Sequence, residues 1–82
     1  MKRIGVVGIV VTGDREISVE LQKVLTEFGD IIVGRMGVPR DKISAISLIV
    51  EGTNERVSAL TGRLGKFSTL AVKSALTSFE VE

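Results

Sequence analysis

The chain has 82 residues, 44% of them hydrophobic and 26% charged, with eleven Lys or Arg against ten Asp or Glu and a formal net charge of +1. It contains no Cys, His, Trp or Tyr. Disulfides, thiolate metal sites and cysteine nucleophiles are thereby removed, as is the side chain most used for proton transfer near neutral pH. So balanced a charge gives no basic field for a phosphate backbone, and direct nucleic-acid binding is not expected.

Residues 3–12 are rich in β-branched side chains at both parities: Ile4, Val6 and Val10 on one, Val7, Ile9 and Val11 on the other. A strand patterned this way expects cover on both faces. Met1-Lys2-Arg3 followed by an apolar run imitates a secretion signal. Gly5 and Gly8 interrupt the run and no small-residue cleavage site follows, so the segment reads as a first strand. No uncharged run approaches the ~18 residues of a membrane span, and the expected location is the cytoplasm.

Thr12-Gly13-Asp14 reads as a turn in which Asp14 caps a helix and Glu16 complements its positive end. Ile17, Leu21, Val24, Leu25 and Phe28 then form one apolar stripe, with Glu20, Lys23 and Glu27 toward water. Gly29 is expected to end this helix in the left-handed conformation. A second strand is predicted from about Asp30 to Val38, with Ile31, Val33, Arg35 and Gly37 on one face and Ile32, Gly34, Met36 and Val38 on the other. Pro39-Arg40-Asp41-Lys42 is a polar hairpin turn.

The third strand, Ile43 to Glu51, is again apolar at both parities. Gly52-Thr53-Asn54 leads into a second helix carrying Val57, Leu60 and Leu64, capped by Thr53 or Asn54 and stopped by Gly65. A last strand spans about Ser68 to Phe79. The order βαββαβ over residues 1–82, read as one domain, specifies an α+β, ferredoxin-like sandwich. Two helices lie on one face of a four-stranded antiparallel sheet, with the first and third strands central.

Two helices cover only one sheet face, while both central strands are apolar on both. A chain this short hides only about 60% of its unfolded surface. The second face therefore implies a homo-oligomer, dimer or tetramer, that stacks or extends sheets.

Ile31-Ile32-Val33-Gly34-Arg35-Met36-Gly37-Val38 sets one charge between two glycines inside a strand. Glycine there marks close approach by another group. Arg35 can offer its planar fork to a carboxylate or phosphate, or form a structural ion pair with Asp30, with Glu51 or with a neighbouring subunit. Met36 reads as core or interface filler. Thr12-Gly13-Asp14-Arg15, between a central strand and a helix start, is a second candidate anion site, although an ordinary turn and cap need the same residues. Gly52-Thr53-Asn54 is its weaker equivalent. Glu55, Arg56, Arg63, Lys66 and Lys73 read as solvated charges.

Phe28, Phe67 and Phe79 lie outside the central strands, where an RNA binder of this topology would stack bases. The paired cysteines of a metal chaperone and the four of an iron–sulfur ferredoxin are missing. Gly13-Asp14-Arg15 only faintly matches the phosphate loop of an acylphosphatase-like hydrolase, and no phosphate-loop signature follows later.

Lys2-Arg3-Ile4, Gly34-Arg35-Met36-Gly37-Val38-Pro39 and Ser58-Ala59-Leu60-Thr61-Gly62-Arg63-Leu64-Gly65 resemble the family of iron-only hydrogenase system regulators over nearly the whole chain. That family is ACT-like and similar to the C-terminal sensing domain of the nickel-responsive regulator. The resemblance implies a non-catalytic sensor that assembles through its sheets and binds a small effector between subunits. Without histidine or cysteine, nickel sensing is not carried over, and no metal or cofactor is expected.

The effector-binding or interface residues expected are Thr12, Gly13, Asp14, Gly34, Arg35, Met36 and Gly37, with a small anion such as an amino acid as effector and no membrane contact. Any effect on transcription would pass through a protein partner. The alternative is a structural interaction module with no small-molecule ligand.

Overall fold

The computed structural model describes residues 1–13 and 15–81, with the side chain of Arg15 outside the description. Its elements are β1 (Lys2–Thr12), α1 (Arg15–Glu27), β2 (Ile32–Pro39), β3 (Ile43–Gly52), α2 (Asn54–Leu64) and β4 (Leu70–Val81). The strands form one sheet in the order β2-β3-β1-β4, each neighbour antiparallel. The two strands with apolar residues at both parities are thus the two central ones.

β1 and β3 pair without interruption from Arg3 opposite Gly52 to Thr12 opposite Ile43. Along β1 the odd positions Val7, Ile9 and Val11 are buried, and along β3 the even positions Leu48 and Val50. They meet Leu21, Val24, Leu25 and Phe28 of α1 and just beyond it, and Val57, Leu60 and Leu64 of α2, in one hydrophobic core. Both predicted helical stripes point inward. Removing a Leu or Ile side chain from water contributes ~1.5–3 kcal/mol, so this layer is the main source of stability.

The helix boundaries follow from which backbone groups find partners. Thr53 is the N-cap of α2, extended in backbone, its hydroxyl accepting from the Arg56 N–H at 3.2 Å. At the other end Gly65 keeps right-handed angles, φ −65° and ψ −14°. α2 stops there because Lys66 N–H donates to Arg63 O at 3.3 Å and Phe67 N–H to Leu64 O at 3.2 Å, tightening the last turn to three-residue spacing. Gly29 is likewise not left-handed: among the described residues only Gly13, φ 123°, has a positive φ. Instead Ile31 N–H donates to Phe28 O at 3.0 Å. This turn occupies the residues expected to open β2, so that strand begins at Ile32. Similarly, Leu70 N–H donates to Phe67 O at 3.3 Å, and β4 begins at Leu70 rather than Ser68.

Both outer strands are irregular. In β2 the pairing steps from Ile32 opposite Val50 to Gly34 opposite Ile49, leaving Val33 as an extra residue. This bulge moves Ile32 to the helix-covered face with Arg35 and Gly37, against expectation, while Gly34, Met36 and Val38 lie on the open one as expected. In β4 the pairing steps from Arg3 opposite Glu80 to Gly5 opposite Leu76. Within that interruption the Thr77 hydroxyl donates to Ile4 O at 2.6 Å and accepts from the Phe79 N–H at 3.2 Å.

The helices are also tied to each other by charge. Arg56 of α2 donates through Nη2 to Asp30 Oδ1 at 2.6 Å and through Nε to Oδ2 at 3.3 Å, and its guanidinium lies 4.3 Å from the centre of the Phe28 ring. Arg63 pairs with Glu27. Two residues expected to be merely solvated therefore fasten α2 to the end of α1.

The Arg56 hydrogen bond, with its positive charge, holds the Asp30 carboxyl below its ordinary value of 3.8, against the opposing pull of desolvation. A folded-state value below the unfolded one stabilises fully above the unfolded pKa, and that contribution disappears as pH falls through the folded one. Arg56→Met is expected to move the Asp30 titration midpoint upward in a carboxyl NMR titration. It should also shallow the loss of Tm with pH on the acid side of pH 4. An unmoved midpoint would show that the pair does not act in solution.

Candidate functional site

The sheet face opposite the helices is apolar and uncovered within the chain. Val6, Val10, Ile43 and Ile49 of the central strands are exposed there, and Met36 of β2 is 67% exposed. Gly8, Ala45, Ser47 and Ala71 are small, so the middle of the face sinks into a hollow of about 410 Å3 ringed by Val10, Met36, Val38 and Lys73. At Gly8 a Cβ would meet only Lys73 O, at 3.9 Å, and at Gly34 only the Ile49 side chain, at 3.9 Å. Nothing inside the chain therefore requires glycine at these two open-face positions.

A second depression lies on the helix-covered side at the hairpin end of the sheet. It is a crevice of about 280 Å3 between the first half of α1 and the β2–β3 edge. Ser18 and Gln22 reach it from α1, Arg35 and Gly37 from β2, and Ser44 from β3, over an apolar floor. Arg35 Nη2 donates to Gln22 Oε1 at 3.1 Å. The expected partners are engaged elsewhere or out of reach: Asp30 is held by Arg56, and among the described residues no carboxylate lies within 4.0 Å of Arg35.

The glycine-flanked stretch is consequently divided by the sheet. Gly34 and Met36 belong to the open face, Arg35 and Gly37 to the crevice. Thr12 and Gly13 join neither depression among the described contacts. Thr12 donates to Thr69 O through its hydroxyl at 2.9 Å and its backbone N–H at 3.0 Å, and Gly13 supplies the positive φ of the turn. Asp14 lies outside the described residues.

Sequence reasoning missed Gly8, whose position mid-strand was the available signal, and also Gln22, Ser18 and Ser44. Gln22 sits one residue from Leu21 at the edge of the α1 stripe, a place where periodicity alone assigns solvent. Among the described residues no cluster of three acidic side chains could hold a metal ion, and no helix is long and apolar enough to cross a membrane.

A βαββαβ sandwich of this strand order is the ferredoxin-like fold, and comparison of structures places it among ACT-like folds. The ACT domain of GTP pyrophosphokinase from Chlorobium tepidum superposes with a TM-score of 0.78 at 17% identity, covering 92% of this chain and 100% of that one. A candidate transcriptional repressor of the glycine cleavage system matches with a TM-score of 0.72 at 20% identity over 100% of this chain and 50% of its own. At such identities the likeness is one of fold. The uncharacterized protein TM1266 from Thermotoga maritima is nearer, with a TM-score of 0.90, 28% identity, and coverage of 95% of this chain and 100% of that one. No curated protein matches significantly. The family model "TM1266-like: Iron-only hydrogenase system regulator, putative" matches residues 3–74, and the chain belongs to this family.

Proposed function

We propose that this chain is a non-catalytic regulatory module of the iron-only hydrogenase system, acting in the cytoplasm as a homo-oligomer that responds to a small anionic effector. The observation that carries the assembly is the open apolar face with its central hollow. Val6, Val10, Ile43 and Ile49 sit there in water on strands whose other side is the core. Glycine costs a strand ~0.5–1 kcal/mol relative to alanine, and at Gly8 and Gly34 no internal contact offsets that cost. A second copy laid on this face, its Met36 entering the hollow, gives both glycines a reason and removes the apolar surface from water. The family's description supports regulation. A sequence without histidine or cysteine supports an absence of catalysis, and its net charge of +1 supports a protein partner rather than nucleic acid as recipient of the signal.

Sedimentation velocity at micromolar concentration tests the assembly. The native chain should sediment as a dimer or tetramer. Val10→Glu, which places a charge beside the hollow at a position already 37% exposed in the single chain, should sediment as a folded monomer. A monomeric native chain would end the proposal.

A further inference from the structure

We propose that the crevice between α1 and the β2–β3 edge binds a small monocarboxylate that carries no amino group, a short aliphatic or 2-oxo acid, with Arg35 as its anchor. This deepens the effector part of the proposed function by assigning a place and a chemical class, and it does not depend on the open sheet face.

The positive charge comes first. A guanidinium has five N–H donors, and among the described residues Arg35 hydrogen-bonds one side chain, through the neutral Gln22 oxygen at 3.1 Å. Gln22 strengthens the case. Its oxygen accepts from Arg35, so its NH2 group is left to donate, and two donor groups stand side by side at the mouth of one crevice. Ser18 and Ser44 line the same space. A carboxylate is a planar acceptor suited to this set of donors, and Arg favours it over a point charge.

Size and polarity narrow the class. The crevice is about 280 Å3, just under the usual range for drug-sized ligands, so it suits a molecule of a few carbons. At Gly37 a Cβ would find nothing within 4 Å, which leaves space directly beside the arginine. Val11, Leu21 and Ile46 make the floor apolar, fitting a short hydrocarbon tail. No acidic side chain is present among the described lining residues. An ammonium group would thus lie near the Arg35 guanidinium with no counter-charge among those residues, and like charges so placed repel. The crevice therefore selects the carboxylate without the amine.

The test is titration of the full chain, by calorimetry and by amide NMR shifts, with propionate, 2-oxobutyrate, L-2-aminobutyrate and inorganic phosphate. Propionate and 2-oxobutyrate should bind saturably, shifting amides of Gln22, Arg35 and Gly37, and L-2-aminobutyrate should bind at least about tenfold more weakly. Arg35→Gln should weaken the carboxylates at least about tenfold, the scale of a lost charge-assisted hydrogen bond. Gly37→Val, which fills the space with a good strand former, should do the same while the circular dichroism melt is retained.

The proposal is overturned if no carboxylate binds saturably, if the amino acid or phosphate binds as tightly as the 2-oxo acid, or if Arg35→Gln binds like the native chain. Sedimentation separates this outcome from the assembly. A monomer that binds 2-oxobutyrate keeps the site and loses the oligomer, whereas an oligomer blind to every carboxylate loses the site.

Discussion

Gly5→Ala should destabilise the fold by at least about 2 kcal/mol, although it adds a single methyl group. A Cβ at Gly5 would stand 2.8 Å from Ala75 O and 3.0 Å from Leu76 Cα, both backbone atoms of the neighbouring strand, and 2.9 Å from Leu76 Cδ1. A flexible side chain could turn aside, but strand backbone cannot move without breaking the ladder that holds β4 to β1. The closeness arises at the point where the β4 pairing resumes at Gly5 opposite Leu76, after the interruption at Thr77 to Phe79. Gly37→Ala is the control. It has open space around its added methyl and should leave stability unchanged or raise it by ~0.5–1 kcal/mol. Urea titrations of both variants decide the matter, and equal midpoints for the two would contradict the packing described at Gly5.

Leu60→Ala should cost about 3 kcal/mol. Leu60 is fully buried at the middle of α2, in the core shared with Val7, Ile9 and Leu48. The alanine itself is a good helix former, so the loss comes from the missing transfer energy and the cavity left behind rather than from the helix. Domains of this size shift Tm by ~4–8 °C per kcal/mol, so a fall of more than about 10 °C is expected in a thermal melt. Ser58→Ala on the exposed side of the same helix provides the comparison and should stay within about 0.5 kcal/mol. A fall of only a degree or two for Leu60→Ala would mean that α2 is not packed as described.

Much of this architecture is legible in the chain because its signals are local. Valine and isoleucine at both parities of β1 and β3 marked them as the inner strands, and the stripe from Ile17 to Phe28 marked the inward side of α1. The unseen features depend on what lies across a gap in sequence. The extra residue at Val33 can be counted only against β3, so alternation alone put Ile32 on the wrong face, while Gly34 to Val38 alternate as expected. Arg56 and Asp30 are 26 residues apart, and Arg63 and Glu27 are 36 apart. Neither pair exists until α2 is laid beside α1. Gly29 was expected to end α1 in a left-handed turn, yet none formed there, since the Ile31 N–H closes a turn onto Phe28 O instead. Arg35 was conspicuous between its glycines. Gln22, the neighbour that holds it, looked like any polar residue on a helix.

The irregularities of the two outer strands bear on how copies of the chain could add to its edges. Each edge offers unpaired backbone groups that could template indefinite strand addition, the route to fibrils. On β2 the regular run after the Val33 bulge, Gly34 to Pro39, contains two glycines and ends in a residue that cannot donate to a ladder. On β4 the regular run from Leu70 to Leu76 carries the exposed charge of Lys73 at its centre, before pairing breaks at Thr77. The inner strands, hidden between these guards, keep their ladder unbroken. Margins of this kind discourage open-ended growth, so the assembly proposed above would be a closed one.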